Sequence, residues 1–418
     1  MDSLRILLAN PPISYQTERP TALPVLGLPI IAAVLNNAGH KAEVIDLGAI
    51  GKKMAYIEVD KYDAIGLTTM TCNIQGFRSC ISDLRSKNYK GIVIAGGVYA
   101  TMFPNETLSL GVDLVITGEC EGNIVGILES GKVGIVKGER MPIEDIPAPA
   151  WDYHTPNINS YFGNVSIIRP MPAITQFTRG CPYDCIFCEN AIFKKQVTRY
   201  RPPENIEREL QYLYDHGFHN VFIYDDETFG CKMTDGWMKE VADRIERFGF
   251  NMATLARCSE KYITPELMKD AKRAGINTIF WGVESLSQKV LDAIKKKITL
   301  DDIWHTLRTA KEAGIKNSLF MQIGSYTETE KEAKETEKGL STLYRQGLVD
   351  HMQVFVNAVM PGTELEKIGR AEGWYKEIPD GWNKIYKVMH SRGTPWMSQD
   401  KIYYWQERYR KACPTVKL

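Results

Sequence analysis

The sequence lacks long apolar runs and any net charge. No stretch approaches the roughly 20 apolar residues that a membrane-spanning helix needs, so we expect no membrane segment. The 51 lysine and arginine residues balance 51 aspartate and glutamate residues, which gives no reason to expect a nucleic acid or an acidic membrane as partner. A basic run, Lys295-Lys296-Lys297, is interpreted as a solvated helix end. The opening MDSLRILLANPP lacks the pattern of a secretory signal peptide, and we expect none.

Paired cysteines are also lacking. Six of the nine cysteines are scattered without the spacing of a disulfide framework, namely Cys72, Cys80, Cys120, Cys231, Cys258 and Cys413. Because disulfides are rare in reducing compartments, this pattern predicts a cytoplasmic protein.

Residues 1–140 alternate short β-rich runs with helical ones. The strands are predicted near 5–9, 43–47, 64–68, 92–96 and 114–117. Five strands joined by crossovers indicate a doubly wound, Rossmann-like parallel sheet, whose ligand lies beyond the carboxyl ends of the strands. Small and glycine-rich residues follow those ends and allow close approach of a large ligand. The candidates are Asn10, Pro11, Thr68, Thr69, Thr71, Cys72, Asn73, Gly96, Gly97, Val98, Gly118, Glu119 and Glu121.

A proline-rich stretch, 141–172, is predicted to be an ordered linker. Residues 173–358 then show six further strand–helix units. Six units are two short of a complete eight-fold barrel, so we expect an open, partial (β/α)6 barrel. Residues 359–418 are rich in tryptophan and tyrosine and predict a small α-rich segment that caps the barrel or contributes to the substrate site.

Three cysteines lie together after the first strand of this barrel. Cys181, Cys185 and Cys188 have the spacing C-x3-C-x2-C. Three thiolates can hold three irons of a [4Fe–4S] cluster and leave the fourth iron open to a small molecule. A zinc site would need a fourth ligand, and no histidine lies between Thr155 and Asp215, so the pattern favours iron and sulfur.

With Phe187 before the third cysteine, this motif resembles that of the radical S-adenosylmethionine (SAM) enzymes. The resemblance implies a [4Fe–4S] cluster that cleaves SAM to a 5′-deoxyadenosyl radical. It also implies SAM contacts from polar residues at the following strand ends, each of which has an ordinary surface or network role as its alternative. With Phe187, they are Asp225, Glu227, Arg257, Glu284, Ser285 and Gln322.

The first domain resembles the cobalamin-binding domain of B12-dependent radical SAM enzymes. ANPP (9–12), YDAIGLTTMT (62–71) and IVIAGGVYAT (92–101) are among the similar stretches, and the likeness extends to MPGTEL (360–365). The D-x-H-x-x-G motif, whose histidine ligates cobalt in other cobalamin proteins, is absent. We therefore expect cobalamin without a histidine ligand. Thr327 to Thr329 stand where relatives read G-x-P-G-E-T, which leaves the role of that loop open.

The resemblance implies a B12-dependent radical SAM C-methyltransferase, which moves a methyl group from SAM through methylcobalamin to an unactivated carbon. It also implies an external electron donor of the flavodoxin or ferredoxin type. The alternatives are a non-methylating radical enzyme and, from another class, a cofactor-binding sensor without turnover. The methyl acceptor is a protein, a peptide or a small molecule, and Tyr326 and Asn357 are the candidate substrate contacts. The sequence as a whole is similar to those of the archaeal glutamine C-methyltransferases of methyl-coenzyme M reductase.

Overall fold

The computed structural model describes residues 3–13, 24–156, 173–193, 197–232, 236–375 and 393–414. It divides into two compact units, formed by the described residues up to 156 and by those from 173 onward. Within these ranges, no helix is both long and apolar enough to cross a membrane.

The first unit is built on a parallel sheet of seven strands. They are β1 (Arg5–Asn10), β2 (Lys41–Asp46), β3 (Ala64–Thr68), β4 (Ile92–Gly96), β5 (Leu114–Thr117), β6 (Gly134–Lys137) and β7 (His154–Thr155). Their order is β6-β5-β4-β3-β1-β2-β7. The chain reverses its direction of winding between β1 and β3, and open α/β sheets bind their ligands at such a point.

Helices cover both faces of this sheet. They are α1 (Gly27–Asn37), α2 (Ile74–Ser86), α3 (Val98–Met102), α4 (Pro104–Ser109) and α5 (Ile124–Glu129). Alternate residues of β1 point to opposite faces: Leu7 packs in the apolar core that contains α2, and Leu8 in the core that contains α1 and α5. The unit is therefore doubly wound, as predicted.

Part of the stretch predicted as a linker belongs to the body of this unit. Ile143 and Ile146 pack against Ile30 of α1, and β7 adds an edge strand beside β2. The other linker residues, 157–172, lie outside the described part of the chain. Neither β6 nor β7 was predicted.

The second unit carries a parallel sheet of six strands. They are β8 (Ala173–Thr175), β11 (Asn220–Ile223), β12 (Asn251–Ala256), β13 (Ile276–Glu284), β14 (Lys316–Ile323) and β15 (His351–Val356), hydrogen-bonded in that order. A short antiparallel pair, β9 (Thr178–Arg179) and β10 (Arg199–Tyr200), lies between the first two in the chain. Because β8 and β15 are the two edges of the sheet, the barrel is open, and the six predicted strands are all present.

Helices follow the strands of the second unit. They are α6 (Asn190–Phe193), α7 (Pro203–Asp215), α8 (Trp237–Ile245), α9 (Pro265–Arg273), α10 (Gln288–Ala293), α11 (Leu300–Glu312), α12 (Glu330–Arg345), α13 (Glu364–Ala371) and α14 (Gln399–Ala412). The C-terminal segment is α-rich, as predicted, and α14 lies against β15, where the Gln406 side chain donates to the carbonyl oxygen of Val354 at 2.8 Å.

Candidate functional site

The three clustered cysteines lie on the loop between β9 and α6. All three are free, and the Cys185 side chain is buried. Backbone N–H groups favour the thiolate forms of two of them, that of Tyr183 at Cys181 and those of Asn190 and Ala191 at Cys188. Burial raises the pKa of Cys181 to about 12 and that of Cys188 to about 11. Bare thiolates are therefore disfavoured here, and a bound cation would be needed to hold them deprotonated.

The cysteine loop does not form a site for a single metal ion. Among the described residues, no group of three or more histidine, cysteine, aspartate or glutamate side chains is placed to hold one. Three thiolates that each bind a different iron of a cube do not need to converge on one point. The donor set therefore fits a [4Fe–4S] cluster better than it fits zinc.

Hydrogen bonds from several elements fix this loop. Asp226, which follows β11, accepts from the Gly180 N–H at 3.3 Å and from the Asn190 side chain at 2.9 Å. The Ile186 N–H donates to the Ile294 carbonyl oxygen at 3.1 Å, and the Ile186 carbonyl oxygen accepts from the Leu365 N–H at 2.9 Å. The loop is thus held to the ends of three other elements before any cofactor binds.

Arg257, at the end of β12, lies beside the cysteine loop. Its Nη1 is 3.8 Å from the sulfur of Cys185, and its guanidinium carbon is 3.5 Å from the centre of the Tyr183 ring. Its Nη2 is buried and finds no hydrogen-bond acceptor within the described residues. A buried donor without an acceptor is costly, so this atom fits an anionic ligand group such as the carboxylate of SAM.

Glu227 and Asp225 are buried and bind backbone N–H groups. One oxygen of Glu227 accepts from the N–H groups of Phe229, Gly230 and Arg257 at 3.2, 2.7 and 3.2 Å. Asp225 accepts from the N–H groups of Phe177 and Thr178 at 2.8 and 3.0 Å, and burial raises its pKa to about 7. Both carboxylates therefore hold the loops around the cysteines, and their predicted contact with SAM stays a prediction.

Three of the predicted residues form one chain of hydrogen bonds across the ends of β13, β14 and β15. Gln322 Nε2 donates to Glu284 Oε2 at 2.8 Å, and Asn357 Nδ2 donates to Gln322 Oε1 at 2.7 Å. Ser285 is not part of this chain. It is fully buried, and its hydroxyl pairs with that of Thr336 on α12 at 3.0 Å.

Lys296 is buried, which corrects the interpretation of the lysine run as a solvated helix end. Its Nζ lies 2.9 Å from Glu284 Oε1, and the residue is 7% exposed. Burial disfavours its charge, but the Glu284 carboxylate and the Cys185 thiolate together outweigh this effect and keep the pKa of Lys296 above its ordinary value. Three successive lysines are typical of a surface, and nothing in the sequence distinguishes the middle one.

Tyr326 and Phe187 belong to apolar contacts beside the cluster loop. The Tyr326 ring packs against Trp374 and Trp396, with ring centres 6.5 and 5.0 Å apart, and its hydroxyl donates to Glu372 at 2.7 Å. Phe187 packs, partly buried, on the same small apolar cluster as Tyr326. The tyrosine predicted as a substrate contact thus joins the C-terminal segment to the cluster loop.

A second candidate site lies at the carboxyl edge of the first sheet, where the direction of winding reverses between β1 and β3. The Asn73 side chain donates to the Thr68 carbonyl oxygen at 3.3 Å and is 3.5 Å from Asn10 Oδ1. Asn10 in turn donates to Asp46 at 3.0 Å, and the Thr69 hydroxyl donates to the Gly96 carbonyl oxygen at 2.8 Å. These buried side chains fix the edge that the sequence predicts to receive cobalamin.

The remaining predicted cobalamin contacts lie along the same edge. Pro11 follows β1, the turn Thr71–Asn73 contains the partly exposed Cys72, and Val98 begins α3. Gly97 has a φ of +100°, and a Cβ there would lie 2.7 Å from the Thr69 carbonyl oxygen. Beyond β5, Glu119 pairs with Arg140 at 3.3 Å, and Glu121 is buried.

Gly118 faces open space at this edge. It has a φ of +79°, and a Cβ on this residue would meet no atom of the described chain within 4 Å. The combination of fixed side chains and space fits a large, planar cofactor.

Neither histidine of the first unit lies at this position. His40 is at the amino edge of the sheet, where its Nδ1 accepts from the Leu4 N–H at 3.3 Å. His154 begins the edge strand β7, and burial lowers its pKa. Within the described residues, the edge beyond β1, β3, β4 and β5 therefore offers no imidazole ligand for cobalt.

Comparison with known proteins identifies a domain family in each unit. Residues 175–339 match the radical SAM superfamily, and residues 16–128 match the B12 binding domain. An uncharacterised methyltransferase of Pyrococcus horikoshii is 25% identical, with 87% of this chain and 83% of that protein covered. The hopanoid C-3 methylase of Methylococcus capsulatus is also 25% identical, with 75% of this chain but only 63% of that protein covered.

The fold is similar to that of a solved radical SAM methyltransferase, TsrM from Kitasatospora setae, determined with cobalamin and a [4Fe–4S] cluster bound. The TM-score is 0.66 at 16% identity, with 90% of this chain and 76% of that chain covered. At this identity the likeness establishes the fold alone.

The two domains define a cobalamin-dependent radical SAM enzyme. Its cofactors are a [4Fe–4S] cluster and SAM, which the radical SAM domain uses, and cobalamin, which the B12 binding domain uses. Within that class, both curated relatives described above are named as methyl-transferring enzymes, which supports methyl transfer as the activity.

Proposed function

We propose that this enzyme transfers a methyl group from SAM, by way of cobalamin, to an unactivated carbon of its substrate. When bound, the cluster supplies the cleavage of SAM to a carbon radical, and cobalamin supplies the methyl group. The observation that carries the proposal is the buried Nη2 of Arg257, which lies beside the cysteine loop without an acceptor among the described residues. It supports a SAM carboxylate held next to the open iron of the cluster.

The residues around the cysteine loop have separate roles in this proposal. Arg257 binds the carboxylate of SAM with a planar pair of N–H donors. Glu284 and Gln322 form the polar wall for the ribose, because both are tied to other side chains rather than to backbone groups and can exchange those partners. Phe187 and its apolar neighbours limit the access of water to the loop.

The lack of a histidine at the described edge of the first sheet supports methyl transfer. A cobalt without a protein imidazole beneath it is more readily reduced, which favours its use as a methyl carrier. The buried network of Asn10, Asn73 and Asp46 holds the edge in place, and the turn Thr71–Asn73 is the segment we place beneath the cobalt.

We propose a carbon of a protein or peptide residue as the methyl acceptor, with the glutamine that is C-methylated in methyl-coenzyme M reductase as the specific candidate. This choice rests on the overall resemblance of the sequence to the archaeal enzymes of that reaction. Asn357 lies at the end of the hydrogen-bond chain from Glu284 and is the side chain we place against the substrate.

The test uses the anaerobically purified chain with cluster and cobalamin bound, SAM with a deuterated methyl group, a chemical reductant, and a synthetic peptide that carries the glutamine. We expect 5′-deoxyadenosine, S-adenosylhomocysteine and a deuteromethylated peptide in equal amounts, because one SAM donates the methyl group and a second forms the radical. Mass spectrometry of the three products measures the ratio.

Other results of this test would favour another methyl acceptor or another function. A methylated small molecule from a cell extract, with the peptide unchanged, would replace the acceptor but keep the methyl transfer. 5′-Deoxyadenosine with no S-adenosylhomocysteine would favour a non-methylating radical reaction and overturn the proposal. No cleavage of SAM under strong reductant would favour a cofactor-binding sensor.

A further inference from the structure

The turn that follows α10 contains backbone strain next to the proposed SAM site. Lys295 and Lys297 have φ values of +52° and +54°, a region that residues other than glycine rarely adopt. The N–H of Lys296 donates to the Leu291 carbonyl oxygen, which is the helix-ending motif that normally places glycine at the position of Lys295. Glu284, opposite the turn, also has a positive φ, of +66°, at a bulge in β13.

The strain directs three neighbouring ammonium groups in three directions. Lys295 pairs with Glu364 and Lys297 pairs with Asp184, each at 2.6 Å, and both lysines are about half exposed. Lys296 points inward to Glu284. Strain of this kind persists only where the surrounding structure enforces it, and it is concentrated at functional sites.

The space that Lys296 occupies depends on a residue without a side chain. A Cβ on Gly282 would lie 2.8 Å from Lys296 Nζ and 3.0 Å from Glu284 Oε1. The ammonium group therefore passes directly over the backbone of β13. Ordinary packing does not require such a contact, because an apolar side chain would fill the same space without a buried charge.

The turn also holds the cysteine loop from both sides. Lys297 binds Asp184, the residue before Cys185, and the Ile294 carbonyl oxygen accepts from the Ile186 N–H, the residue after it. Lys296 stands between these two contacts in the chain, and its charge favours the thiolate of Cys188. One turn thus contacts the cluster loop and the carboxylate of Glu284.

We propose that Lys296 is a positioning residue that fixes Glu284 for SAM and places one positive charge beside the cluster. The inference rests on the cluster and SAM site of the proposed function. A cluster gains negative charge on reduction, so a nearby ammonium group raises its reduction potential. Without Lys296, Glu284 would be a buried carboxylate with no opposing charge, held by Gln322 alone, and would no longer be fixed in one position.

The test compares Lys296→Met, which keeps an unbranched side chain one atom shorter and removes the charge, with Lys295→Met, the same change on the half-exposed neighbour. Iron content checks that both variants carry the cluster. We expect Lys296→Met to lower the midpoint potential of the cluster measured without SAM. We also expect it to weaken SAM binding by roughly tenfold or more. The change that SAM causes in the electron paramagnetic resonance spectrum of the reduced cluster measures this binding. Lys295→Met should match the wild type in both the midpoint potential and the SAM affinity.

A second variant covers the case in which Lys296→Met takes up no iron. Gly282→Ala displaces the ammonium group, and with it the Glu284 oxygen, without removing either charge, so a shift of the potential together with weaker SAM binding in this variant supports the proposal that the pair is held in place for both. Combining Lys296→Met with Glu284→Gln removes both charges and should restore the potential but not the SAM affinity.

Unchanged potential and unchanged SAM affinity in Lys296→Met, or in Gly282→Ala where that variant is used, would overturn this role for Lys296. Both readouts are independent of methyl transfer. A wild-type cluster that does not respond to SAM at all would instead contradict the proposed function.

Discussion

At the scale of single residues, the buried carboxylates of the second unit differ in what they bind. Asp225, Glu227 and Glu328 accept from backbone N–H groups and so fix loops. Glu284 is bound to the side chains of Lys296 and Gln322. Side-chain partners can rearrange when a ligand enters, whereas backbone partners cannot do so without a change in the loop. Among these four, Glu284 is therefore the carboxylate best placed to respond to a ligand.

The cysteines of the second unit also differ in what they are expected to bind. Replacing Cys185 with alanine should abolish cluster assembly, because the two remaining thiolates on the loop cannot hold the cube. Iron analysis of the reconstituted protein should fall from about four irons per chain to near zero. Cys231→Ser is the matched control, since Cys231 is also buried but bonds with the hydroxyls of Thr198 and Tyr200. Four irons retained in Cys185→Ala would contradict the assignment.

Single residues also show where prediction from sequence ends. The spacing of Cys181, Cys185 and Cys188 carries its meaning in the chain itself, so the cluster loop could be predicted. The role of Lys296 could not, because it depends on two left-handed residues and on the missing side chain of Gly282, which come together only in the folded chain. Ser285 was predicted to contact SAM because it follows β13, but no local pattern indicates that α12 covers it.

At the scale of elements, the loop after β14 is closed by Glu328. One of its oxygens accepts from the N–H groups of Gly324 and Ser325 at 2.8 and 3.0 Å, and the other accepts from the Tyr409 hydroxyl of α14 at 3.2 Å. This is the loop whose departure from the pattern of its relatives left its role open. Glu328 joins it to the C-terminal helix.

The pH dependence of stability should reveal this contact. Burial raises the pKa of Glu328 from 4.5 to about 7. A raised folded-state pKa contributes stability that is complete below pH 4.5 and is lost as the pH rises through 7, on the order of 3 kcal/mol. Glu328→Gln cannot titrate but keeps the acceptor oxygen, so its unfolding free energy should fall less between about pH 5 and 8. Urea unfolding followed by tryptophan fluorescence measures both curves, with the half-exposed Glu330→Gln as control.

The packing of α2 against the loop after β1 gives a second test at this scale. A Cβ on Gly76 would lie 1.9 Å from the Pro12 carbonyl oxygen, so Gly76→Ala should displace that loop and weaken cobalamin binding. Gly126→Ala in α5 has open space and should stabilise the protein by about 0.5–1 kcal/mol. Cobalamin absorbance and the melting temperature distinguish the two. Equal cobalamin affinity in both variants would show that the loop does not contribute to the site.

Most elements could be predicted because apolar runs alternate with amphipathic helices that end in glycine. The strands that were missed lacked this signal. β6 alternates between partly buried and exposed residues, and β7 has two residues in a proline-rich stretch. Both are placed by pairing with a neighbouring strand, which the local sequence does not encode.

At the scale of the whole molecule, the two candidate cofactor sites lie on separate sheets in separate compact units. Loss of one cofactor should therefore leave the other in place. A variant with Cys181, Cys185 and Cys188 all changed to alanine should bind cobalamin as the wild type does. Asn73→Leu, which removes the buried amide of the first sheet, should lose cobalamin yet retain about four irons. Iron and corrinoid analysis of both variants measures this, and loss of both cofactors from either one would show that the units depend on each other.

The contact between α14 and the open edge of the barrel affects how readily molecules of this protein associate with one another at high concentration. β15 is an outer strand, and its unpaired carbonyl groups are a template on which another chain can add a strand. Gln406 occupies one of them, at Val354, and the helix that carries it covers the strand. The C-terminal helix therefore acts against aggregation between molecules, and this protection depends on a segment that bears none of the enzyme's predicted cofactor ligands.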